Sequence, residues 1–311
     1  MRVHAALALA AGSALLFTAC SSSSAADTAD GAGSGDGGGT EVIRFATLPL
    51  GDDPNAVTPV DALKDMIEAE TGMEVELTDV PSYSAVIEAI RNGHEDIGIM
   101  SGFPSALAVS TGEVDSLVAW PGEDEPVSTC LVLDDSPLKS FEDVSSDTVI
   151  AFADPASSSG YFMPTHMLHE AGLEADEDYS SLMSGGHDRS FLALQNGQAD
   201  VACTSTIFPA MAGQGSPLFP FEPGDTRSIG ESISMPIAIT VLGSTSMSQE
   251  KRAALLEAIP KVFSAENADQ LGVYAEAIPV GVEPIIEPGD ELFQPFVDIA
   301  AIADVDISDL E

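Results

Sequence analysis

The chain has 311 residues, with 51 Asp and Glu against 10 Lys and Arg and a formal net charge of -41 at pH 7. A surface of that sign repels nucleic acid and anionic lipid headgroups and gives no long-range attraction to an anionic ligand, so an anion site must rest on short-range backbone and hydroxyl donors. Beyond residue 40 the chain is long enough for one large or two medium lobes with ample core, and no apolar stretch there approaches the length of a membrane helix.

Met1-Arg2, the apolar run Val3 to Phe17 and the small pair Thr18-Ala19 have the layout of a secretory signal, too short to span a bilayer. Cys20 directly after small residues, followed by Ser21 to Ser24, resembles the bacterial lipobox, in which the cysteine is acylated and becomes the mature N-terminus. Phe17 stands where Leu is more usual. Residues 1–19 therefore read as a lipoprotein signal peptide and Cys20 as the lipid attachment site, the alternative being an ordinary signal cleaved elsewhere. Residues 20–40 are almost wholly Ser, Ala, Gly, Asp and Thr, a composition expected to form a disordered tether because it cannot bury apolar surface.

Ile43 to Leu48 reads as a strand. Thr58-Pro59-Val60-Asp61 opens a helix with a cap, an N1 proline and an acidic N3 residue, Val60, Leu63, Met66 and Ile67 form its buried face, and Gly72 ends it. Val75 and Leu77 alternate with acids as a strand, Tyr83, Val86, Ile87 and Ile90 recur at helical spacing, and Asp96 to Met100 is a further strand. This alternation predicts a parallel sheet with helices on its faces. Further strands fall near Leu117 to Trp120, Thr129 to Leu133, Val149 to Ala153, Asp200 to Cys203 and Ile237 to Leu242. Helices are expected from about Ser159 to Ala171, through Phe191 and Leu194, from about Gln249 to Phe263 with a bend at Pro260, and in a tail helix docked through Phe293, Phe296 and Val297.

Cys130 and Cys203 remain, each at the end of an expected strand. Outside the cytoplasm such a pair can be a disulfide, or can stay as two buried thiols; sequence alone does not bring the two Cα atoms within bonding distance.

Ser157, Ser158 and Ser159 stand between a strand and a helix start, where unpaired N–H groups and the helix dipole favour an anion and three hydroxyls add donors. The plain alternative is that one serine caps the helix. His187, in a Gly-rich turn ahead of another helix, can donate to the same oxyanion or be structural. Three stretches, in order, carry a resemblance. They are Arg44 to Pro49 with Asp53-Pro54 and the run Val80 to Gly93; Ala151 to Tyr161; and Ser184-Gly185-Gly186-His187-Asp188-Arg189-Ser190 with Leu192 to Asp200 behind it. Together they resemble the phosphate/phosphite/phosphonate-binding proteins of ABC transporters.

The resemblance implies an α/β, two-lobed type II periplasmic binding protein with its ligand in the cleft between lobes. Lobe 1 is expected from residues 41–125 and 236–311, with lobe 2, residues 126–235, inserted. It also implies a small oxyanion ligand, a monomer delivering it to an ABC permease and its ATPase, and no cofactor or metal. Tyr83 corresponds to a tyrosine of the family pocket, although its spacing with Val86 and Ile90 also suits core packing. Two departures concern specificity. Ser101, in Met100-Ser101-Gly102-Phe103, takes the place of a pocket tyrosine, and Met235 takes the place of the acid that holds a ligand ammonium, which argues against an amino-bearing ligand.

Other readings fare worse. Ser158, His187 and Asp188 supply the residue types of a nucleophilic triad, but adjacent His and Asp point differently and no Gly-x-Ser-x-Gly elbow is present. His166 and His169 with Glu170 offer a metal at most two ligands from one helix. The same fold can instead serve a membrane sensor or bind a sulfonate.

Overall fold

The computed structural model describes residues 41–48, 58–216 and 218–302. Cys20, the 20–40 segment and Pro49, Asp53 and Pro54 of the first motif lie outside them. Strand β1 (Val42–Thr47) is followed by helix α1 (Pro59–Thr71), whose Thr58 side chain accepts from the Asp61 N–H while Asp61 accepts from the Thr58 N–H. Gly72 closes α1 at φ 71°, a left-handed value that favours glycine. Strand β2 (Glu74–Asp79), helix α2 (Tyr83–Arg91) and strand β3 (Ile97–Ser101) follow, and β2, β1 and β3 pair in parallel. Helix α3 (Gly102–Ser110) then leads to strand β4 (Val114–Pro121).

The chain crosses to a second sheet made of β5 (Ser128–Leu133), β6 (Val149–Phe152), β7 (Ser180–Met183), β8 (Val201–Ser205) and β9 (Thr226–Glu231). Helices α4 (Met163–Glu170) and α5 (His187–Gln195) lie between its strands. The order is β7-β6-β8-β5-β9, parallel in the first three and antiparallel at β5 and β9. Returning, the chain forms β10 (Ile237–Ser244), α6 (Gln249–Val262), the short helices α7 (Ala268–Leu271) and α8 (Val273–Glu276), β11 (Ile285–Ile286) and α9 (Gln294–Ile302). The first sheet is thus ordered β11-β4-β10-β3-β1-β2, with β10 antiparallel to both β3 and β4. The architecture is α/β with two mixed sheets, each a lobe. One lobe draws its strands from both flanks of the other.

Buried Asp96 joins the two halves of the first lobe: it accepts from the Arg44 main chain at 2.8 Å and side chain at 3.0 Å, and from Lys251 of α6 at 2.8 Å. The two crossing segments are themselves bonded. Gly122 N–H donates to the Pro236 carbonyl, and the Ser232 hydroxyl accepts from Val127 and Ser128 N–H. A Cβ at Gly122 would lie 2.0 Å from the Met235 carbonyl oxygen, so glycine alone fits this crossing.

Expected and observed elements differ where amphipathic patterning fails. Helix α3 gives no periodic signal because residues 102–109 are all buried. Strand β9 is polar and at a sheet edge, as is β7, which is mostly exposed. The helix expected from Ser159 opens instead as a π-helical turn, Ser158–Phe162, before α4.

Cys130 on β5 and Cys203 on β8 are direct cross-strand partners, and the structure joins them in a disulfide at a Cα separation of 4.0 Å. With a sequence separation of 73, the chain-entropy model assigns this link about 4 kcal/mol. Urea unfolding of the Cys130→Ala/Cys203→Ala variant should show a loss of that order; equal stability, or two free thiols in peptide mapping of the oxidised protein, would contradict it.

Candidate functional site

The two serine-rich helix starts face each other across the lobes. Helix α3 begins after Ser101, which makes no side-chain cap of its own. The missing cap comes from the second lobe: fully buried Ser158 accepts from the Phe103 N–H at 2.8 Å and from the Ser101 hydroxyl at 2.9 Å. The Phe103 and Phe162 rings stack beside this contact at 3.7 Å. The π-helical turn that carries Ser158 is held by Ser157, whose hydroxyl accepts from the Gly160 N–H at 3.1 Å.

Two cavities open between the lobes, of about 490 Å³ and 350 Å³, and they share Leu48, Tyr83, His187, Phe208 and Val273. The smaller is lined by hydroxyls: Ser101, Ser158, Ser159, Ser205 and Thr206, with Tyr83 and Tyr274. Of the six side chains expected to contact a ligand, Ser101, Ser158, Ser159, His187 and Tyr83 therefore meet at one cavity. Ser157 does not: it is buried, lines neither cavity and caps its own turn, as the plain reading of a serine at a helix start has it. Ser159 is half-buried, and its carbonyl accepts from the Ser128 hydroxyl at 2.7 Å.

His187 is the first residue of α5, and burial lowers its pKa to about 4, so the ring is neutral at pH 7. Its Nδ1 lies 2.9 Å from the hydroxyl of Thr204, itself fully buried at the end of β8. A neutral imidazole has one donor and one acceptor nitrogen. When Thr204 donates to Nδ1, Nε2 carries the proton and is the donor left for a ligand. Burial, and then the charge of Asp154, raises the pKa of the Tyr83 phenol, which stays protonated as a second neutral donor. The Asp154 carboxylate accepts from the Ala156 N–H at 2.9 Å and from the Tyr83 N–H of the opposite lobe, and burial raises its pKa.

Nucleophilic chemistry finds no support in this geometry. His187 meets Thr204 and not Asp188, and the Ser158 hydroxyl is engaged with Phe103 and Ser101. Among the described residues no group of three or more His, Cys, Asp or Glu side chains is placed to hold a metal, and His169 pairs with Glu174 at 3.0 Å. No helix among them is long and apolar enough to cross a membrane.

Met235 is buried and lines the smaller cavity, as its replacement of a pocket acid suggests, but the exposed acids Glu123, Glu125 and Glu276 line that cavity as well. Sequence reasoning also passed over Thr204, Ser205 and Thr206, although a hydroxyl run at a strand end is the same signal that singled out the three serines. Arg189, inside the third motif, lines the larger cavity and was missed too.

Comparison with known proteins follows the same lines. The model of a family described as the periplasmic substrate-binding protein of phosphonate ABC transporters matches residues 45–285. The chain is 29% identical over 248 residues to the phosphate-import protein PhnD of Mycolicibacterium smegmatis, covering 75% of this chain and 74% of that protein. It is 29% identical over 150 residues to the phosphonates-binding periplasmic protein of Escherichia coli, covering 46% and 44%. In fold it resembles a binding protein component of an ABC phosphonate transporter from Pseudomonas aeruginosa, with TM-score 0.72, 19% identity and 85% and 87% coverage. PhnD1 of Prochlorococcus marinus, solved with methylphosphonate, gives TM-score 0.67 at 14% identity, covering 86% of this chain and 100% of that one.

The depressed pKa of His187 makes stability pH-dependent. In the unfolded chain the imidazole takes up a proton near pH 6.5, in the folded protein only near 4, so its contribution is lost as pH falls from 6.5 towards 4. Between pH 7 and pH 5 this histidine should remove about 2 kcal/mol of unfolding free energy. Denaturation of wild type and His187→Gln at both pH values isolates the effect: a variant with the same pH slope as wild type would contradict it.

Proposed function

The chain belongs to the phosphonate family of periplasmic substrate-binding proteins of ABC transporters, and from that premise we propose that it captures a small tetrahedral oxyanion, a phosphonate, phosphite or phosphate, in the smaller cavity between its lobes. The observation that carries this reading is the convergence there of Ser101 and Tyr83 from one lobe with Ser158, Ser159 and His187 from the other, while no Lys or Arg among the described residues lines that cavity. Tyr83, Ser158, Ser159 and His187 supply neutral hydrogen-bond donors, while the Ser101 hydroxyl donates to Ser158, and neutral donors suit an oxyanion in a chain of this charge. The M. smegmatis relative is named for phosphate import and the E. coli relative for phosphonate binding, so both ligand types belong in the proposal.

In this account lobe 1 comprises residues 41–125 and 236–311 and lobe 2 residues 126–235. Ligand draws the two together, excluding water and strengthening each donor contact. The closed monomer then presents its cargo to an ABC permease, powered by its ATPase. Cys20 carries the lipid that holds the protein at the outer face of the membrane, and mass spectrometry of the mature N-terminus tests that directly: an N-terminus without lipid would refute it.

Calorimetric titration with phosphate, phosphite and methylphosphonate tests the site. His187→Ala should weaken binding ten- to a hundredfold, because a hydrogen bond to a charged group contributes roughly 1.5 to 3 kcal/mol. Thr204→Val, which leaves the ring but removes the hydroxyl that sets its tautomer, should weaken binding in the same sense, with Thr204→Ser near wild type. Ser158→Ala should also lower stability by about 1 to 3 kcal/mol, since it leaves the Phe103 N–H unpaired. Wild-type affinity in both His187→Ala and Ser158→Ala would remove the proposed site.

A further inference from the structure

With so few cations in so acidic a chain, almost every one is engaged within the fold. Among the described residues Arg44, Lys64, Arg91, Lys251, Arg252 and Lys261 pair with carboxylates, and Lys139 and Arg227 donate to main-chain carbonyls. Arg189 is the exception: it makes no ion pair or hydrogen bond to another described residue. Among the described residues it is also the one Lys or Arg lining either cavity.

Its position separates it from the oxyanion donors. Arg189 sits in the first turn of α5, with its Nη1 by Gly185, where an added Cβ would be 3.1 Å away. His187, two residues earlier, lines both cavities, but Arg189 lines only the larger. That cavity, about 490 Å³, is in the range that buries an organic ligand of moderate size, well beyond what a tetrahedral oxyanion fills. Its walls at Val80, Pro81, Phe208, Leu218 and Val273 are apolar and suit a carbon chain.

We infer that the ligand is a phosphonate whose organic substituent ends in a carboxylate: the phosphonate is held at the hydroxyl-lined cavity, the chain lies along the apolar walls and Arg189 receives the carboxylate. This rests on the oxyanion reading above and adds the class of substituent. Arginine's planar fork matches a carboxylate in a way that a point charge does not. Three acids line the same cavity. Asp154 is occupied by two main-chain N–H groups, Asp79 is exposed and screened by solvent, as Arg189 itself is until a ligand and the opposite lobe cover it, and Asp188, adjacent to Arg189 on one helix, does not share its face.

The test is calorimetry on the full-length chain with methylphosphonate, 3-phosphonopropionate and 2-aminoethylphosphonate. Wild type should bind 3-phosphonopropionate about ten- to a hundredfold tighter than methylphosphonate, the range of one charge-assisted contact. In Arg189→Gln that ratio should fall to about one, and in Arg189→Lys to an intermediate value. A wild-type ratio near one, a ratio unchanged in Arg189→Gln, or tightest binding of 2-aminoethylphosphonate would each overturn the inference while leaving the oxyanion site standing. Failure of wild type to bind methylphosphonate at all would overturn the oxyanion reading and this one with it.

Discussion

The Ser158 hydroxyl belongs to one lobe and completes a helix of the other. Helix α3 starts without a cap of its own, and a buried N–H left unpaired costs about 1 to 3 kcal/mol. The contact to Phe103 removes that cost only when the lobes are together, and the stacked Phe103 and Phe162 rings place apolar area beside it. A wider π-helical turn, closed by Ser157, presents Ser158 at this point. Irregular turns of this type concentrate at functional positions because they re-aim side chains that a regular helix would place elsewhere. In the proposed function, a ligand that draws on Ser101 and Ser158 joins hydrogen bonds that already link the lobes, so binding and closure share one network.

Charge sets the second constraint. A protein at -41 cannot gather an anion by its overall field, and among the described residues no Lys or Arg lines the serine-lined cavity. Its donors are neutral: serine hydroxyls, a protonated phenol and an imidazole that burial keeps uncharged down to about pH 4. Neutral donors act over a few ångströms and gain most where water is excluded. In the proposed function, selectivity then depends on which groups lie within reach of each part of the ligand, with little contribution from long-range attraction.

The readable parts of the fold were those with one wet face and one dry face. Helices α1, α2 and α6 announce themselves through their apolar spacing, and α1 also through its cap at Thr58. Helix α3, buried on every side, has no stripe to read, and the polar edge strands β7 and β9 offer too little alternation. At the site, residue types were legible and partners were not. Three adjacent serines look equivalent in sequence, yet one caps its own turn, one caps a helix 55 residues away and one faces the cavity. Nothing local distinguishes them, because their partners are set by how two lobes meet. The Cys130–Cys203 link is similar: strand ends are visible in sequence, but their register across 73 residues is fixed by the sheet.

Crystals of the full-length protein grown with methylphosphonate should show phosphonate density between the two lobes, with its oxygens within hydrogen-bonding distance of His187 Nε2 and of hydroxyls from both lobes, Ser101 on one side and Ser158 or Ser159 on the other. Phosphonate bound outside this cavity, or held by one lobe alone without His187, would contradict the proposed site.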